Sequence, residues 1–218
     1  MDNLLTKYQK EFWTNQKAID EVIGRGISLS TADTFKLGYC STHEYSPLND
    51  RLIFPIHNQY GEHIAYQGRA LFDYAELGVP KFWHNPGDWK RSVLYGLHEN
   101  LERIYQLEYV VLCEGPFDVL ALHECGIPAV AGLGIAFHQQ QAFQLARYVK
   151  NWITWYDDDK AGHAGVESVK SQISKNKLGI HLTTLDTIGY KDPCDTLKYQ
   201  GKRQVINNVR INQPTTIS

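Results

Sequence analysis

The stretch 109-YVVLCEGPFDVLALHECGIPAVAGLG-134 decides the fold. Its opening YVVLC is apolar, too short for a helix and closed by Glu114-Gly115, the pattern of a strand buried on both faces. FDVLALHECG then reads as a helix ended by Gly126, and PAVAGLG as a second short strand. The alternation continues with FHQQQAFQLARYV as helix, WITWYDDD as strand, AGHAGVESVKSQISKN as helix and GIHLTTLD as strand. Strands separated by single helices with short connections predict a parallel sheet covered by helices on both faces, with right-handed crossovers. In such sheets functional side chains collect at the carboxyl ends of the strands.

Two of those ends carry carboxylates. Glu114 closes the first strand, and Gly115 leaves space beside it for a ligand. Asp157, Asp158 and Asp159 close the third, where three adjacent like charges resist burial. Residues i and i+2 of an extended segment share one side, so Asp157 and Asp159 are expected to face one ion while Asp158 points elsewhere. Oxygen donors without His or Cys suit Mg²⁺ or Mn²⁺. Asp118, in the first turn of the next helix, reads equally as a charge that complements the helix N-terminus. Asp192 and Asp195 in GYKDPCDTL read either as further ligands or as a turn and a helix cap, with Asp195 in the capping position.

Upstream of residue 108 the rhythm differs. AIDEVIGRGISLSTADTFKL (18–37) predicts two short helices, the first stopped by Gly24 and Gly26 and the second capped by Ser30. RLIFPI (51–56) and HIAYQGRAL (63–71) predict a hairpin, and LHENLERIYQ (97–106) a helix. Between them cations alternate with aromatics: Lys81 beside Phe82-Trp83, and Lys90-Arg91 beside Trp89. With Arg51, Arg69 and Lys160 these are the candidates for single-stranded nucleic acid, through phosphate contact and base stacking. Trp83 and Trp89 read alternatively as core residues.

The bulk properties exclude several classes. A chain of 218 residues forms one large or two small domains, and a net charge of -2 offers no global attraction to nucleic acid, so any binding needs a local patch. Cys40, Cys113, Cys125 and Cys194 have no CxxC spacing, which argues against a zinc site and against a disulfide framework. No signal-peptide pattern and no apolar run of about 20 residues is present, so the expectation is a soluble, cytoplasmic protein without membrane contact.

The residues 114-EGPFDVLALHECGIPAVAGLG-134, followed by 156-YDDDKAGHAG-165, resemble a TOPRIM domain. The version is similar to that of bacterial and phage replicative primases of the DnaG type, whose pattern runs EGxxDVxAL, AVAxLG and YDGDxAG. Asp158 stands where that pattern has glycine. IGRGISLSTADTFKLGY (23–39) resembles the helical entry of the primase core. RLIFPIHNQYGEHIAYQGRAL (51–71) is similar to its hairpin, which ends in Gly-Gly-Arg-like residues. PKFWHNPGDWKRSVLYGL (80–97) resembles its PKYLNSP segment and lysine-containing lead-in to LYGL, with His84 where asparagine is usual. KDPCDTL resembles its C-terminal acidic motif.

The resemblance implies an α/β fold: a TOPRIM-type parallel sheet flanked by helices, preceded by a smaller α+β subdomain. It implies a division into residues 1–108, the TOPRIM domain 109–190, and an acidic motif with a helical tail at 191–218. The implied activity is DNA-directed synthesis of short RNA primers on single-stranded DNA from ribonucleoside triphosphates. Glu114, Asp157 and Asp159 are then the principal metal ligands, and Asp118, Asp192 and Asp195 second-tier ones. Lys81 and Lys90 take the positions of active-site lysines, and Arg69 that of an arginine in the pattern. Neither a zinc-binding cluster nor a helicase-binding domain is encoded, so a bare core of the phage kind is expected, working with a replicative helicase or a separate zinc-domain protein in the host cytoplasm. A TOPRIM nuclease and a non-catalytic, strand-binding accessory protein are the competing readings.

Overall fold

The computed structural model describes residues 2–41, 47–185 and 192–212. Three helices, α1 (Asp2–Thr14), α2 (Gln16–Ile23) and α3 (Leu29–Thr34), lead into an antiparallel sheet. Its strands are β1 (Gly38–Cys40), β2 (Arg51–His57), β3 (His63–Ala70) and β4 (Phe82–His84), adjacent in that order. The expected hairpin is β2–β3, with Leu52 opposite Arg69 and Phe54 opposite Gln67. The sequence reading does not reach α1 or β1, and it takes the aromatic, Gly- and Pro-rich stretch 79–89, which holds β4, as a loop. The two strands have three residues each, too short for a period of two to register. The helix is visible only through Tyr8 and Phe12, buried four residues apart on one face.

One cap is displaced from expectation. The Ser28 hydroxyl, not that of Ser30, accepts the Thr31 N–H at 3.2 Å. The helix begins at Leu29, so the extended backbone that a cap requires falls at Ser28, and Ser30 is already helical.

After α4 (Leu97–Leu107) comes the parallel sheet, β5 (Tyr109–Cys113), β6 (Ala129–Ala131), β7 (Asn151–Thr154) and β8 (His181–Thr184), in spatial order β6-β5-β7-β8. Its helices are α5 (Pro116–Glu124), α6 (Gln139–Ala146) and α7 (Lys160–Lys175), followed by α8 (Pro193–Gln200) and α9 (Lys202–Ile211). The fold class is α/β, as the alternation predicts. The strands feed two cores by turns. Val111, Cys113, Ala129, Ala131 and Ile153 join α5 and the antiparallel sheet. Val110, Leu112, Val130 and Trp152 face the other way, toward α4, α6 and α7. A sheet with both faces buried must be apolar along its length, so polar chemistry is left to its ends.

Three contacts tie the sheets together. Phe54 of β2 meets Phe117 of α5 edge-on at 5.1 Å. Tyr95 exchanges both backbone hydrogen bonds with Ala131 of β6, at 2.9 and 3.0 Å. The Glu124 carboxylate accepts from the Ser28 N–H and hydroxyl and from the Thr31 hydroxyl on one oxygen, and from Lys202 Nζ at 2.6 Å on the other. One side chain thereby joins α3, α5 and α9. Residues 213–218 of the expected tail, and the expected boundary at 190/191, lie outside the described residues.

Candidate active site

A cleft of ≈ 510 Å³ opens between the carboxyl ends of β5 and β7 and the β3–β4 edge of the antiparallel sheet. It lies where the connections from the central strands β5 and β7 leave in opposite directions, toward β6 on one side and β8 on the other. Glu114 follows β5, and its Oε1 accepts the Asp157 N–H at 3.3 Å. The Asp118 carboxylate reaches back to the Gly115 N–H at 3.1 Å, the capping role its position suggested, yet it also lines the cleft. Burial first, then the negative charges of Asp192 and Asp157, holds its pKa well above the carboxylate range. At the start of α8 the cap is Asp192, which accepts the Asp195 N–H at 2.6 Å. Asp195 sits inside the first turn, because the helix begins at Pro193. Both also line the cleft.

The three consecutive aspartates separate in a way that simple alternation misses. β7 ends at Thr154, so residues 157–159 form a loop and the i, i+2 rule does not govern them. Asp157 lines the cleft. Asp158 lies 3.1 Å from His163 Nε2 on the surface. Asp159 is the cap of α7 and accepts the Ala161 and Gly162 N–H groups at 2.8 and 2.9 Å. Its carboxylate satisfies orphan donors of that helix and is not among the cleft-lining groups. Gly162 makes the packing possible. A Cβ there would lie 2.0 Å from the Asp157 carbonyl oxygen and 2.8 Å from Glu114 Oε1.

The opposite wall is cationic. Arg69 and Lys81 line the cleft as expected, joined by Arg25, which the sequence reading passed over. Arg25 holds Glu21 Oε1 at 2.7 Å and lies 4.3 Å over the Phe117 ring, while Arg69 lies 5.2 Å from the same ring. The ring carries both cations, a cation–π arrangement. The available signal was a lone Arg between Gly24 and Gly26, a cation in a turn where a helix stops. His84 lines the cleft, whereas Lys90 is not among the cleft-lining residues and lies 5.7 Å from the Trp89 ring. Burial, then the Lys90 charge, lowers the His84 pKa to about 4. Burial likewise lowers that of Lys90.

Several candidates fall elsewhere. Arg51 is buried, and its guanidinium donates to the carbonyls of Pro47, Gly68, Pro80 and Lys81. It pins the loop before β4 to β2 and presents nothing to the cleft. Trp83 pairs with Gly68 on the far side of the sheet, packed on the Tyr8, Leu48 and Ile53 cluster. The alternation that turns Phe82 and His84 toward the cleft turns Trp83 away. Trp89 packs on the main core and donates its indole N–H to the Asn85 carbonyl at 3.1 Å. Arg91 is exposed and 3.8 Å from Asp88, and Lys160 is exposed at the first position of α7.

The acidic side of the cleft suits a hard cation in kind, since Glu114, Asp118, Asp157, Asp192 and Asp195 all offer carboxylate oxygens. The repulsion that raises the Asp118 pKa is what a divalent cation among Asp118, Asp157 and Asp192 would relieve. As they stand, no group of three or more His, Cys, Asp or Glu side chains among the described residues is gathered closely enough to hold an ion.

Residues 111–197 match the Toprim-like family. The class of the second half is thus a Toprim-like domain, for which primases imply divalent-metal use. Over nearly its whole length the chain is similar to DNA primases. That of Borreliella burgdorferi is 30% identical over 235 residues, covering 89% of this chain and 44% of the relative. That of Aquifex aeolicus is 29% identical over 244 residues, covering 95% and 48%. Among solved structures, the Aquifex aeolicus primase (zinc binding and RNA polymerase domains) matches with a TM-score of 0.86 at 26% identity, over 97% of this chain and 59% of that one. A DnaG primase catalytic domain bound to ssDNA matches with a TM-score of 0.82 at 24% identity, over 98% and 78%, a likeness of fold. The chain has the architecture of a DnaG-type primase catalytic core with its Toprim domain. It spans less than half the length of either relative. Among the described residues no helix is long and apolar enough to cross a membrane.

Proposed function

We propose that the chain is a DNA primase core that makes short RNA primers on a single-stranded DNA template from ribonucleoside triphosphates. The observation that carries this reading is the cleft itself, with Arg25, Arg69 and Lys81 facing Glu114, Asp118 and Asp157 across one space. A triphosphate needs cations on one side, and the reacting phosphorus needs charge neutralisation on the other. In the reaction a 3′-hydroxyl oxygen bonds to the α-phosphorus, the bond to pyrophosphate breaks, and the hydroxyl proton leaves to solvent.

Arg25, Arg69 and Lys81 bind the triphosphate, and Lys90 adds positive charge close to His84. Glu114 and Asp157, with Asp118, Asp192 and Asp195, would hold Mg²⁺ or Mn²⁺, and such an ion would supply neutralisation of charge on the transferred phosphoryl group. Asp159 fixes the loop that carries Asp157. Arg91 and Lys160 meet the template backbone from the rim. The working units are residues 1–108, 109–190 and 191–218. The setting is the cytoplasm, that of the host if the chain is phage-encoded, beside a replicative helicase or a separate zinc-domain protein.

The test is incubation with single-stranded template, labelled ribonucleotides and Mg²⁺ or Mn²⁺. Template-dependent oligoribonucleotides, lost in Asp157→Asn, are expected. Shortening of the template without incorporation would replace priming by nuclease activity, and binding with neither would leave a strand-binding accessory protein.

A further inference from the structure

Two neutral side chains in the cleft are unused by the charge-based reading. Gln67 and His84 are direct cross-strand partners in the β3–β4 pair, so they stand side by side on the face that carries Arg69 and Phe82. Both line the cleft. Gln67 is only 4% exposed, and its Oε1 is buried without a hydrogen-bond partner; so is His84 Nδ1. Two adjacent unpaired polar atoms in a wall are unusual, because buried polar groups are ordinarily satisfied. Burial, then the Lys90 charge, keeps His84 uncharged at neutral pH.

From this geometry we infer that Gln67 and His84 form a sugar-binding subsite that receives the ribose hydroxyls of the incoming nucleotide. The inference rests on the primase reading and adds to it the part of the substrate that neutral groups recognise. The cations of the cleft suit phosphate and its carboxylates suit a metal ion. The amide oxygen and an imidazole nitrogen suit uncharged O–H donors. A base edge is a poor occupant, since it changes at every templated step. The sugar does not change. A 2′-deoxynucleotide would leave one of these atoms buried and unpaired, which is how a hydrogen-bonding site rejects an analogue lacking the hydroxyl.

The experiment compares kcat/KM for each of the four ribonucleotides and its 2′-deoxy counterpart in primer extension, using the wild type, Gln67→Met and His84→Phe. Gln67→Met keeps length and volume while removing the acceptor. The expected result is a ribose-to-deoxyribose preference that falls about 10-fold in the variant lacking the partner of the 2′-hydroxyl, through loss of ribonucleotide use, while the variant lacking the partner of the 3′-hydroxyl loses both sugars about equally. Gln67→Met should also melt about 2–4 °C higher, because an unpaired buried acceptor is gone. An equal loss for both sugars in both variants, or a loss that follows the base, would overturn the subsite. If the wild type makes no primers, the priming reading fails separately, and binding of ribo- and deoxyribonucleoside triphosphates with Mn²⁺ then decides the subsite: equal affinity in the wild type refutes it.

Discussion

The two sheets supply the cleft by different rules. The antiparallel sheet gives side chains from within its strands, Gln67 and Arg69 from β3 with Phe82 and His84 from β4. The parallel sheet gives nothing from mid-strand. Its contributions, Glu114 and Asp157, come from beyond the last residues of β5 and β7. The cause is coverage. Both faces of the parallel sheet are packed, whereas the antiparallel sheet has one face that runs from the core out to an open edge. One sheet therefore offers a surface for recognition, and the other offers strand ends for charge.

The sharpest way to break this comparison is to remove a strand-end carboxylate. Glu114→Gln and Asp157→Asn should each lower primer synthesis by about 100-fold or more while the melting temperature stays near that of the wild type. Gly162→Ala should match them in activity and also destabilise by about 1–3 kcal/mol, since the new methyl group collides with the Asp157 carbonyl; calorimetry separates the two cases.

A finer comparison lies within the antiparallel sheet, between two arginines on opposed strands. Arg51→Met removes the guanidinium bonds to four backbone carbonyls and should cost about 3 kcal/mol in denaturant titration. Arg69→Met gives up the guanidinium contact with the Phe117 ring, should stay within about 1 kcal/mol, and should lose about 10-fold in kcat/KM. If both arginines affected only stability, the cationic wall would be structural.

Acid should act next, at the joint between the sheets. The Glu124 pKa is lowered to about 2 because the favourable bonds from Lys202, Thr31 and Ser28 outweigh burial. The unfolded chain therefore binds the proton first, and stability falls as pH drops from the ordinary carboxylate range toward 2. His123, lowered to about 4 chiefly by burial, adds loss of the same sign between about 6.5 and 4. Glu124→Gln should remove the lower step from a plot of stability against pH and leave the upper one. The smallest effect belongs to the rim. Arg91→Ala should leave stability within about 0.5 kcal/mol and reduce the salt slope of single-strand binding by about 1.

How much was legible follows from the range of each signal. The parallel sheet, its helices and the strand-end Glu114 and Asp157 announce themselves through local periodicity. Asp159 was misplaced because a helix start outranked the strand's alternation within the same three residues. Trp83 was misplaced because β4 is three residues long, and only its register against β3 says which side it faces. Arg25 was missed since its one local signal, a place between two glycines, fits a solvated surface cation equally well. Its partner Phe117 is 92 positions away.

By itself, then, the sequence determined the α/β order, the hairpin and the acidic strand ends, because propensity and burial pattern act over a few residues at a time. Only the tertiary structure decided which cations face those acids, which arginine is spent on backbone carbonyls, and that Gln67 and His84 meet. Those outcomes depend on strand register and on the approach of two sheets, which no local pattern records.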